Sequence, residues 1–237
     1  MRLQVRVTLI TGAGAGIGQA TAGLFAREGA LVGTLDLTHD KLSETVNSIQ
    51  QTGGPCSALS VDVSQPSQVQ NAIDQLVMKW GHLDIVFANV GINGVWAPLE
   101  ELDLAEWDET LAINLKGTFL TVKYAIPFLK QRGGSIIITS SVNGTRMFSN
   151  TGATAYACPK AAQGAVQTSI HANTQMRNLE NIREPMEFPK GESPLTDGKP
   201  AVSDQIAQAV LFLASDAASH VTGTEMWIDG GQSLLRG

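Results

Sequence analysis

The 237-residue chain is poor in the features that mark several large classes of protein. It has only two cysteines, which argues against a disulfide scaffold and favours a reducing compartment. Its cysteines and four histidines are scattered without the spacing of a zinc site. No apolar run approaches the length of a membrane span. These absences favour an intracellular globular protein without a structural metal.

Positive charge is also scarce. The chain carries 16 lysines and arginines against 22 acidic residues, a net charge of −6, and it has no basic stretch. This balance argues against a nucleic-acid surface. The first residues lead at once into an apolar run, which indicates no signal peptide. We therefore expect a cytoplasmic protein that binds a small molecule, and neither nucleic acid nor membrane.

Glycine is plentiful, and its most informative group is Thr11–Gly18, Thr-Gly-Ala-Gly-Ala-Gly-Ile-Gly. The group follows a predicted buried strand and opens a predicted helix. Free N–H groups and the helix dipole favour an anion at such a helix start. Gly12 would permit the tight turn, and Gly16 would let a pyrophosphate approach the backbone. The pattern predicts a dinucleotide phosphate loop formed by Gly12, Gly16, Ile17 and Gly18.

An acidic residue follows this loop at a suggestive distance. Asp36 closes the next predicted strand, 18 residues after Gly18. A carboxylate there can accept a hydrogen bond from a ribose 2′-hydroxyl and repels a 2′-phosphate. No arginine lies between Arg27 and Arg132 to bind that phosphate. We predict NAD as the cofactor in preference to NADP, over the alternative of a solvated acid at a strand end.

Apolar strand-like runs alternate with helical periods along the chain. This alternation predicts an α/β fold, a doubly wound parallel sheet of the Rossmann type in a single domain covering residues 1–237. Residues 176–198 are polar and carry three prolines, and the segment 176–200 is predicted to be a mobile connection, a substrate lid or both. The predicted strands lie at residues 5–10, 31–35, 57–63, 83–88, 135–139 and 225–228. A long helix is predicted at 103–131, with interruptions at Gly117 and Pro127.

Later motifs add a resemblance to a known family. Ser140-Ser141 is followed by Tyr156-Ala-Cys-Pro-Lys160, and together with Thr11–Gly18 these residues resemble the short-chain dehydrogenase/reductase family along most of the chain. Asp62-Val63 is similar to the family's adenine-contacting pair. Ala88–Gly91 is similar to its NNAG motif, with two conservative departures. The resemblance implies that the cofactor also contacts Asp62, Val63, Asn89, Gly91, Tyr156, Lys160 and Thr168.

The resemblance assigns catalysis to Asn114, Ser141, Tyr156 and Lys160, and the residue types suit the chemistry. The family interconverts an alcohol and a ketone or aldehyde by hydride transfer, with the tyrosine as acid/base. A phenol has an ordinary pKa of about 10, and the ammonium of Lys160, four residues on, would lower it. Ser141 would hydrogen-bond the substrate oxygen. Asn114 would fix a water in the proton relay.

Plainer interpretations of these residues stay open. Asn114 could cap or bend its helix, and Asp62 could be an acid at a helix start. Tyr156 could be a core residue and Lys160 a solvated helix charge. Ser141 is preferred to Ser140 by family position alone. Hydrolase chemistry at Ser141 is disfavoured because no Gly-x-Ser-x-Gly elbow surrounds it.

The resemblance breaks after Lys160. The family continues through a long helix, a sixth strand and a Pro-Gly turn, yet Thr168, which looks like the residue after that turn, follows only 8 residues later. A helical crossover alone needs at least about 10–12 residues. Resemblance and this limit together indicate that roughly two dozen residues are missing. The sheet should therefore lack its sixth strand, and the last strand its neighbour.

Three further expectations follow. If the helix begins near Cys158, because Pro159 suits only a first turn, Tyr156 lies outside it. The missing segment also allows an alternative function, a non-catalytic or defective cofactor-binding variant. The resemblance implies a homodimer or homotetramer, with helices at 103–131 and after Tyr156 at the interface.

Overall fold

The structure, a computed structural model, describes residues 1–145, 152–163, 175–176, 196 and 199–230. The chain divides into two compact units, each with its own sheet. Unit 1 comprises Met1–Val90, Lys116–Ile138 and Ser203–Thr224. Unit 2 comprises Gly91–Leu115, Thr139–Val202 and Glu225–Gly237.

Unit 1 contains a five-stranded parallel sheet. Numbered along the whole chain, its strands are β1 (Val7–Thr11), β2 (Leu31–Asp36), β3 (Cys56–Ser60), β4 (Ile85–Ala88) and β6 (Ser135–Ile138). The order is β3-β2-β1-β4-β6, and every pairing is parallel. All residues of β1 and β4 are buried, as the central strands of a parallel sheet require. This arrangement confirms the predicted Rossmann-type fold class.

Helices connect these strands. They are α1 (Gly16–Arg27), α2 (His39–Gln51), α3 (Pro66–Trp80), α5 (Gly117–Arg132) and α8 (Ser203–Ala214). Helix α1 contacts α2 and α8, whereas α3 contacts α5. The strand order reverses after β3, and right-handed crossovers then place α3 on the face opposite α1. The sheet is therefore wound on both faces.

Unit 2 contains a two-stranded parallel sheet, β5 (Val95–Trp96) with β7 (Gln175–Met176). Its helices are α4 (Leu104–Leu111), α6 (Val142–Thr145) and α7 (Thr154–Ala161), and α7 contacts α4, α6 and β5. Helix α4 begins with a capping box, in which Asp103 and Glu106 each accept a backbone N–H of the other. That cap explains why the helix starts where the sequence predicts.

The long helix predicted over 103–131 is divided just before Gly117, one of its two predicted interruptions. A π-helical turn, Ala112–Lys116, separates α4 from α5. Asn114 lies in this turn and is fully buried. Such π turns often occur at functional sites, because the wider turn redirects a side chain and frees backbone groups. Pro127 lies inside α5 without ending it.

Several strand boundaries differ from the prediction by one to three residues, and those of β1 and β3 bear on the site. Strand β1 begins at Val7, because Val5 has φ +55°, outside the extended region, and donates its N–H to Gly29 O. Strand β3 ends at Ser60, so that Asp62 and Val63 lie in the following turn. Both differences are shifts of a few residues that leave the order of elements unchanged.

The largest difference from the family's pattern lies at the outer edge of the five-stranded sheet. Among the described residues the five-stranded sheet ends at β6, which pairs only with β4, so the sixth strand is lacking as predicted. The strand predicted at 225–228 is wrong, because these described residues form none. A strand exists only when a neighbour pairs with its N–H and C=O groups. Loss of the neighbouring strand explains the outcome.

Candidate active site

The predicted phosphate loop joins β1 to α1 in unit 1. Gly12 and Gly16 have φ of +66° and +54°, which disfavours any side chain there. A Cβ on Gly18 would lie 2.0 Å from Gly12 O, so the loop and α1 meet at a distance that only glycine allows. Ala15, the N-cap residue of α1, makes no side-chain hydrogen bond to the N–H groups of the first turn. The loop has the properties of an anion site.

Asn89 and Thr11 fix this loop to β4. The Thr11 hydroxyl oxygen accepts the N–H groups of Asn89 (3.0 Å) and Val90 (3.1 Å). The Asn89 amide donates to Thr11 O (3.2 Å) and Gly12 O (3.4 Å). Asn89 was predicted to contact the cofactor, and in the structure it shapes the loop that would do so. The role of Thr11 was missed, although its place at the strand end was visible.

Asp36 closes β2 beside the loop. Its Oδ2 accepts the N–H of Gly14 (3.0 Å), and its Oδ1 accepts the N–H of Leu37 (2.8 Å). Lys41 Nζ lies 3.9 Å from Oδ1, a pairing that sequence reasoning missed. The loop and the predicted ribose carboxylate are thus brought together by direct hydrogen bonds.

Asp62 and Val63 lie in the turn before α3. Asp62 Oδ1 accepts the N–H (2.9 Å) and the hydroxyl (2.7 Å) of Ser64, and Gln68 Oε1 accepts the Asp62 N–H. Val63 is buried, and a Cβ on Gly117 would lie 2.6 Å from its Cγ2. These contacts suit the plainer interpretation of an acid at a helix start, and adenine contact by the pair stays a prediction.

The four predicted catalytic residues all belong to unit 2. Tyr156 and Lys160 lie one turn apart on α7 and are 2% and 1% exposed. The Lys160 Nζ is 5.9 Å from the centre of the Tyr156 ring. Helix α7 begins at Thr154 with Pro159 inside it, so the conditional expectation that Tyr156 lies outside the helix is wrong. Both side chains therefore hold a helical i, i+4 relation.

Lys160 is a buried cation without a carboxylate at ion-pair distance among the described residues. Its Nζ donates to Thr139 O (2.8 Å), and a Cβ on Gly91 would lie 3.4 Å from it. Burial lowers the pKa of Lys160 to about 7, because the charged form loses its water. Such a group is expensive for folding, and its presence in a core indicates a function.

The two serines occupy different positions. The Ser140 hydroxyl is fully buried and donates to Lys160 O (2.5 Å), which ties β6's extension to α7. The Ser141 hydroxyl oxygen accepts the N–H of Asn143 (3.3 Å). Ser140 thus has a structural role. The assignment of Ser141 as the substrate-binding serine stays a prediction.

Asn114 is bound to one backbone segment by both ends of its amide. Its Oδ1 accepts the N–H of Ile92, and its Nδ2 donates to Ile92 O, each at 2.8 Å. A Cβ on Gly91 would lie 3.3 Å from the Asn114 Oδ1, so the residue before Ile92 is also close. The side chain therefore holds the segment at Ile92, 22 residues away, rather than capping its own helix. The role of Asn114 in a proton relay stays a prediction.

We expect Asn114→Ala to lower the free energy of unfolding by about 2–4 kcal/mol, because it leaves two backbone groups of Ile92 without partners. Urea unfolding of the variant measures this directly. Asn47→Ala, at an exposed position of α2, is the matched control and should change stability by less than about 0.5 kcal/mol. An Asn114→Ala protein as stable as the control would contradict the structural role.

Gln163 is a site residue that sequence reasoning missed. Its Nε2 donates to Asn114 O, and its backbone N–H donates to Lys160 O (3.2 Å). The residue therefore ties the end of α7 to the π turn that carries Asn114. No local pattern identifies such a contact, because 49 residues separate the partners.

Some predicted features lie outside the described residues. Thr168, the predicted nicotinamide contact, is one of them. The predicted lid, residues 176–200, is another, apart from residues 176, 196, 199 and 200. Within the described part, no helix is long and apolar enough to cross a membrane. The same part of the chain holds no cluster of three or more His, Cys, Asp or Glu that could hold a metal ion.

Comparison with known proteins agrees with this geometry. The family model for short chain dehydrogenase matches residues 6–183, three quarters of the chain. The model for enoyl-(acyl carrier protein) reductase matches residues 163–233. The two matches together reach from the phosphate loop past the final helix.

Individual relatives cover almost the whole chain. The 3-oxoacyl-[acyl-carrier-protein] reductase FabG of Thermotoga maritima is 35% identical, and the alignment covers 98% of this chain and 99% of the relative. The crystal structure of a 3-ketoacyl-ACP reductase from Sinorhizobium meliloti is 49% identical with a TM-score of 0.90, covering 97% and 100%.

A third relative was solved with a cofactor. It is carveol dehydrogenase from Mycobacterium avium in complex with NAD, 28% identical with a TM-score of 0.84, covering 99% of both chains. The parallel sheet agrees with these matches, and the chain belongs to the short-chain dehydrogenase/reductase family, an oxidoreductase family acting on CH–OH groups.

Proposed function

We propose that this chain is an NAD-dependent oxidoreductase that interconverts an alcohol and a ketone or aldehyde, with Tyr156 as the acid/base. One observation carries the proposal: unit 2 buries Tyr156 and Lys160 one turn apart, although burying that lysine is costly. A folded core retains such a group only when something compensates for the cost, and catalysis is the compensation that fits this pair.

The chain's residues fit a nicotinamide dinucleotide. A Cβ would strain the loop at Gly12 and Gly16, and the uncapped start of α1 suits a pyrophosphate. The Asp36 carboxylate retains lone pairs for ribose hydroxyls beyond the two N–H groups that it accepts. Gly12, Gly16, Ile17, Gly18 and Asp36 would hold the adenosine and pyrophosphate part, and Lys160 with Gly91 the nicotinamide part.

Within this proposal the bound cofactor supplies or takes the hydride, and the chain's own residues handle the proton. The Lys160 ammonium would stabilise the Tyr156 phenolate, so that the phenol oxygen gives its proton to a carbonyl oxygen or takes one from an alcohol. Ser141 would hydrogen-bond that same oxygen. Asn114 would fix a water that carries the proton toward solvent. Thr168, Asp62 and Val63 would add cofactor contacts.

The substrate would be a small-molecule alcohol or carbonyl compound. The similar proteins include reductases of acyl-carrier-protein thioesters and a D-threitol dehydrogenase, which span long thioesters and short polyols. Their variety supports the reaction class and leaves the substrate to residues 176–200, the proposed lid. A cytoplasmic homodimer or homotetramer is the assembly that we propose by analogy with the family.

The rival proposal is a non-catalytic or defective cofactor-binding variant, and two observations favour it. Among the described residues the sheet stops at β6, and residues 225–228 form no strand. The alignment with the Thermotoga maritima reductase spans 246 positions, so at least nine have no counterpart in this 237-residue chain. Both proposals share the dinucleotide site and differ in turnover.

Thermal unfolding with and without NADH tests the shared site. A ligand at a hundred times its Kd adds about 2.7 kcal/mol, so the midpoint should rise by about 5 °C or more. In a second protein, a helix-and-strand segment of about two dozen residues, the length that the family resemblance implies is missing, is inserted between Lys160 and Thr168. We expect the insertion to raise the midpoint without NADH, since it restores a strand to the sheet edge.

The outcomes separate the proposals. A shift with NADH and turnover in both proteins supports the enzyme. A shift in both with turnover only after the insertion establishes the defective variant. A thermal midpoint that NADH leaves unchanged in both proteins would contradict both proposals.

A further inference from the structure

Lys160 is held at both ends by two consecutive residues of the segment that follows β6. Its Nζ donates to Thr139 O (2.8 Å), and its backbone carbonyl accepts the Ser140 hydroxyl (2.5 Å). We propose that Ser140 is a positioning residue, whose hydroxyl fixes the Lys160 ammonium at the Thr139 carbonyl and beside Tyr156. The inference deepens the proposed function, because Lys160 is the residue that would stabilise the Tyr156 phenolate.

The place of Lys160 in its helix explains why its carbonyl accepts an outside donor. Helix α7 ends at Ala161, so Lys160 lies in the last turn. The carbonyls of a last turn lack the N–H groups that a further turn would supply. At Lys160 O that place is taken by the Ser140 hydroxyl and by the N–H of Gln163 (3.2 Å). Ser140 lies 20 residues before Lys160, so its bond ties the turn to another part of the fold.

Helix α6 contacts the same end of α7. A Cβ on Gly144 would overlap Lys160 C and Ala161 N, so the two helices approach at a distance that only glycine allows. The segment from Thr139 to Gly144 therefore contacts Lys160 at its ammonium, its carbonyl and its following peptide bond. Thr139, Ser140 and Lys160 are all at most 3% exposed, so water does not replace these bonds.

The bond to Thr139 O matters because no carboxylate balances the ammonium in the part of the chain that the structure describes. Helix α7 contacts α4, α6 and β5, and neither α6 nor β5 has a charged residue. The acidic residues of α4, which lie beyond ion-pair distance of Lys160, are Glu106, Asp108 and Glu109. On α7 itself the titratable neighbours are Tyr156, with its ring centre 5.9 Å from Nζ, and the exposed Cys158.

The loss of the Ser140 hydroxyl should have a cost that depends on pH. A hydrogen bond to the charged form favours that form, so a looser contact with Thr139 O should lower the pKa of Lys160 further below its folded value of about 7. Well below pH 7 the folded chain holds the ammonium, and the variant loses the Ser140 bond together with part of the Thr139 bond. At pH 9 the folded chain holds the neutral amine, and only the Ser140 bond is lost.

Urea unfolding of the wild type and Ser140→Ala at pH 5.5 and pH 9 tests this directly. We expect the fall in the urea midpoint to be at least about one and a half times as large at pH 5.5 as at pH 9. In a Lys160→Met background the same substitution should lower the midpoint equally at both pH values. Thr121→Val is the matched control, since it removes a fully buried hydroxyl that donates to Gly117 O in α5, and its effect should not depend on pH.

Equal falls at the two pH values in the chain that keeps Lys160 would overturn the inference, because the role of Ser140 would then not reach the ammonium. A pH dependence that persists in the Lys160→Met background would overturn it as well. The proposed function stands in both cases. A chain without a cooperative urea transition would contradict the buried Lys160 on which the inference and the proposed function both rest.

Steady-state kinetics separates the inference from the proposed function. For carbonyl reduction, kcat should decline as the pH rises through the pKa of Lys160, and in Ser140→Ala this decline should move at least about half a pH unit lower while KM changes less than about twofold. A decline at the wild-type pH would overturn the inference. A wild-type chain without turnover would contradict the proposed function, and the urea experiment would still decide the inference.

Discussion

We expect Tyr156→Phe to lower kcat/KM for carbonyl reduction at least about a hundredfold, because proton transfer by a positioned side chain contributes about 10²–10⁴-fold to a rate. The phenylalanine keeps the buried ring and removes only the hydroxyl. The Kd for NADH and the thermal midpoint should therefore change little. The measurement is steady-state oxidation of NADH with the carbonyl compound that the wild type reduces fastest.

The chain supplies a matched control for this variant. Tyr124, on α5, is the only other tyrosine. Tyr124→Phe removes the same hydroxyl group from unit 1, and it should leave kcat/KM within about twofold of the wild type. Equal activity of Tyr156→Phe and the wild type would show that Tyr156 does not handle the proton.

Lys160→Met should give a protein that is more stable at neutral pH and inactive. The Met side chain fills a similar volume without the cost of a buried charge, and such replacements often stabilise by about 1–4 kcal/mol. The gain is reduced because Thr139 O loses its donor. We expect a net gain of about 1–3 kcal/mol near pH 6.5. Activity is lost because nothing stabilises the Tyr156 phenolate.

The pH dependence of the free energy of unfolding identifies Lys160 as the cause of this gain in stability. The folded chain holds the Lys160 pKa at about 7, whereas the ordinary value is 10.5. Between these values the unfolded chain binds the extra proton, so the free energy of unfolding rises with pH. Below pH 7 both states are protonated, and the cost of burial is present in full.

Urea unfolding at pH 6.5 and pH 9 measures this difference. The advantage of Lys160→Met over the wild type should shrink by about 2 kcal/mol between the two values. Lys130→Met, which removes an exposed lysine, should parallel the wild type. If the free energy of unfolding changed equally with pH in Lys160→Met and in the wild type, the result would contradict a buried, uncompensated ammonium.

The central features of the fold could be predicted because they depend on neighbouring residues. The glycines of the phosphate loop, Asp36 at the end of β2 and the YxxxK spacing on α7 are all patterns of short range. The missing strand was also predictable, since the 8 residues from Lys160 to Thr168 are too few for a crossover.

The incorrect or missed predictions have a common physical cause. The features concerned depend on residues that are far away in the sequence. Residues 225–228 have the composition of a strand but form none, because pairing depends on a neighbour from elsewhere in the chain. The π turn at Ala112–Lys116 accompanies the bond between Asn114 and Ile92, and Gln163 matters only through Asn114 O. None of these contacts leaves a periodic signal.

The roles of residues that hold others in position were missed for the same reason. Thr11 and Asn89 bridge 78 residues of sequence to fix the loop. In the sequence Lys41 resembles any lysine on a polar helix, and its pairing with Asp36 is visible only in the structure. Sequence patterns identify groups that act on a ligand, whereas the groups that hold them in place become visible only in three dimensions.

Transfer of deuterium from NADH labelled at C4 to a carbonyl substrate is the most direct test of the proposed oxidoreductase. The purified chain is incubated with the labelled cofactor and a panel of ketones, aldehydes and 3-oxoacyl thioesters, and the products are analysed by mass spectrometry. The account predicts an alcohol one mass unit heavier than its unlabelled form, formed by the wild type and not by Tyr156→Phe. Bound NADH with no labelled alcohol from any substrate would contradict it.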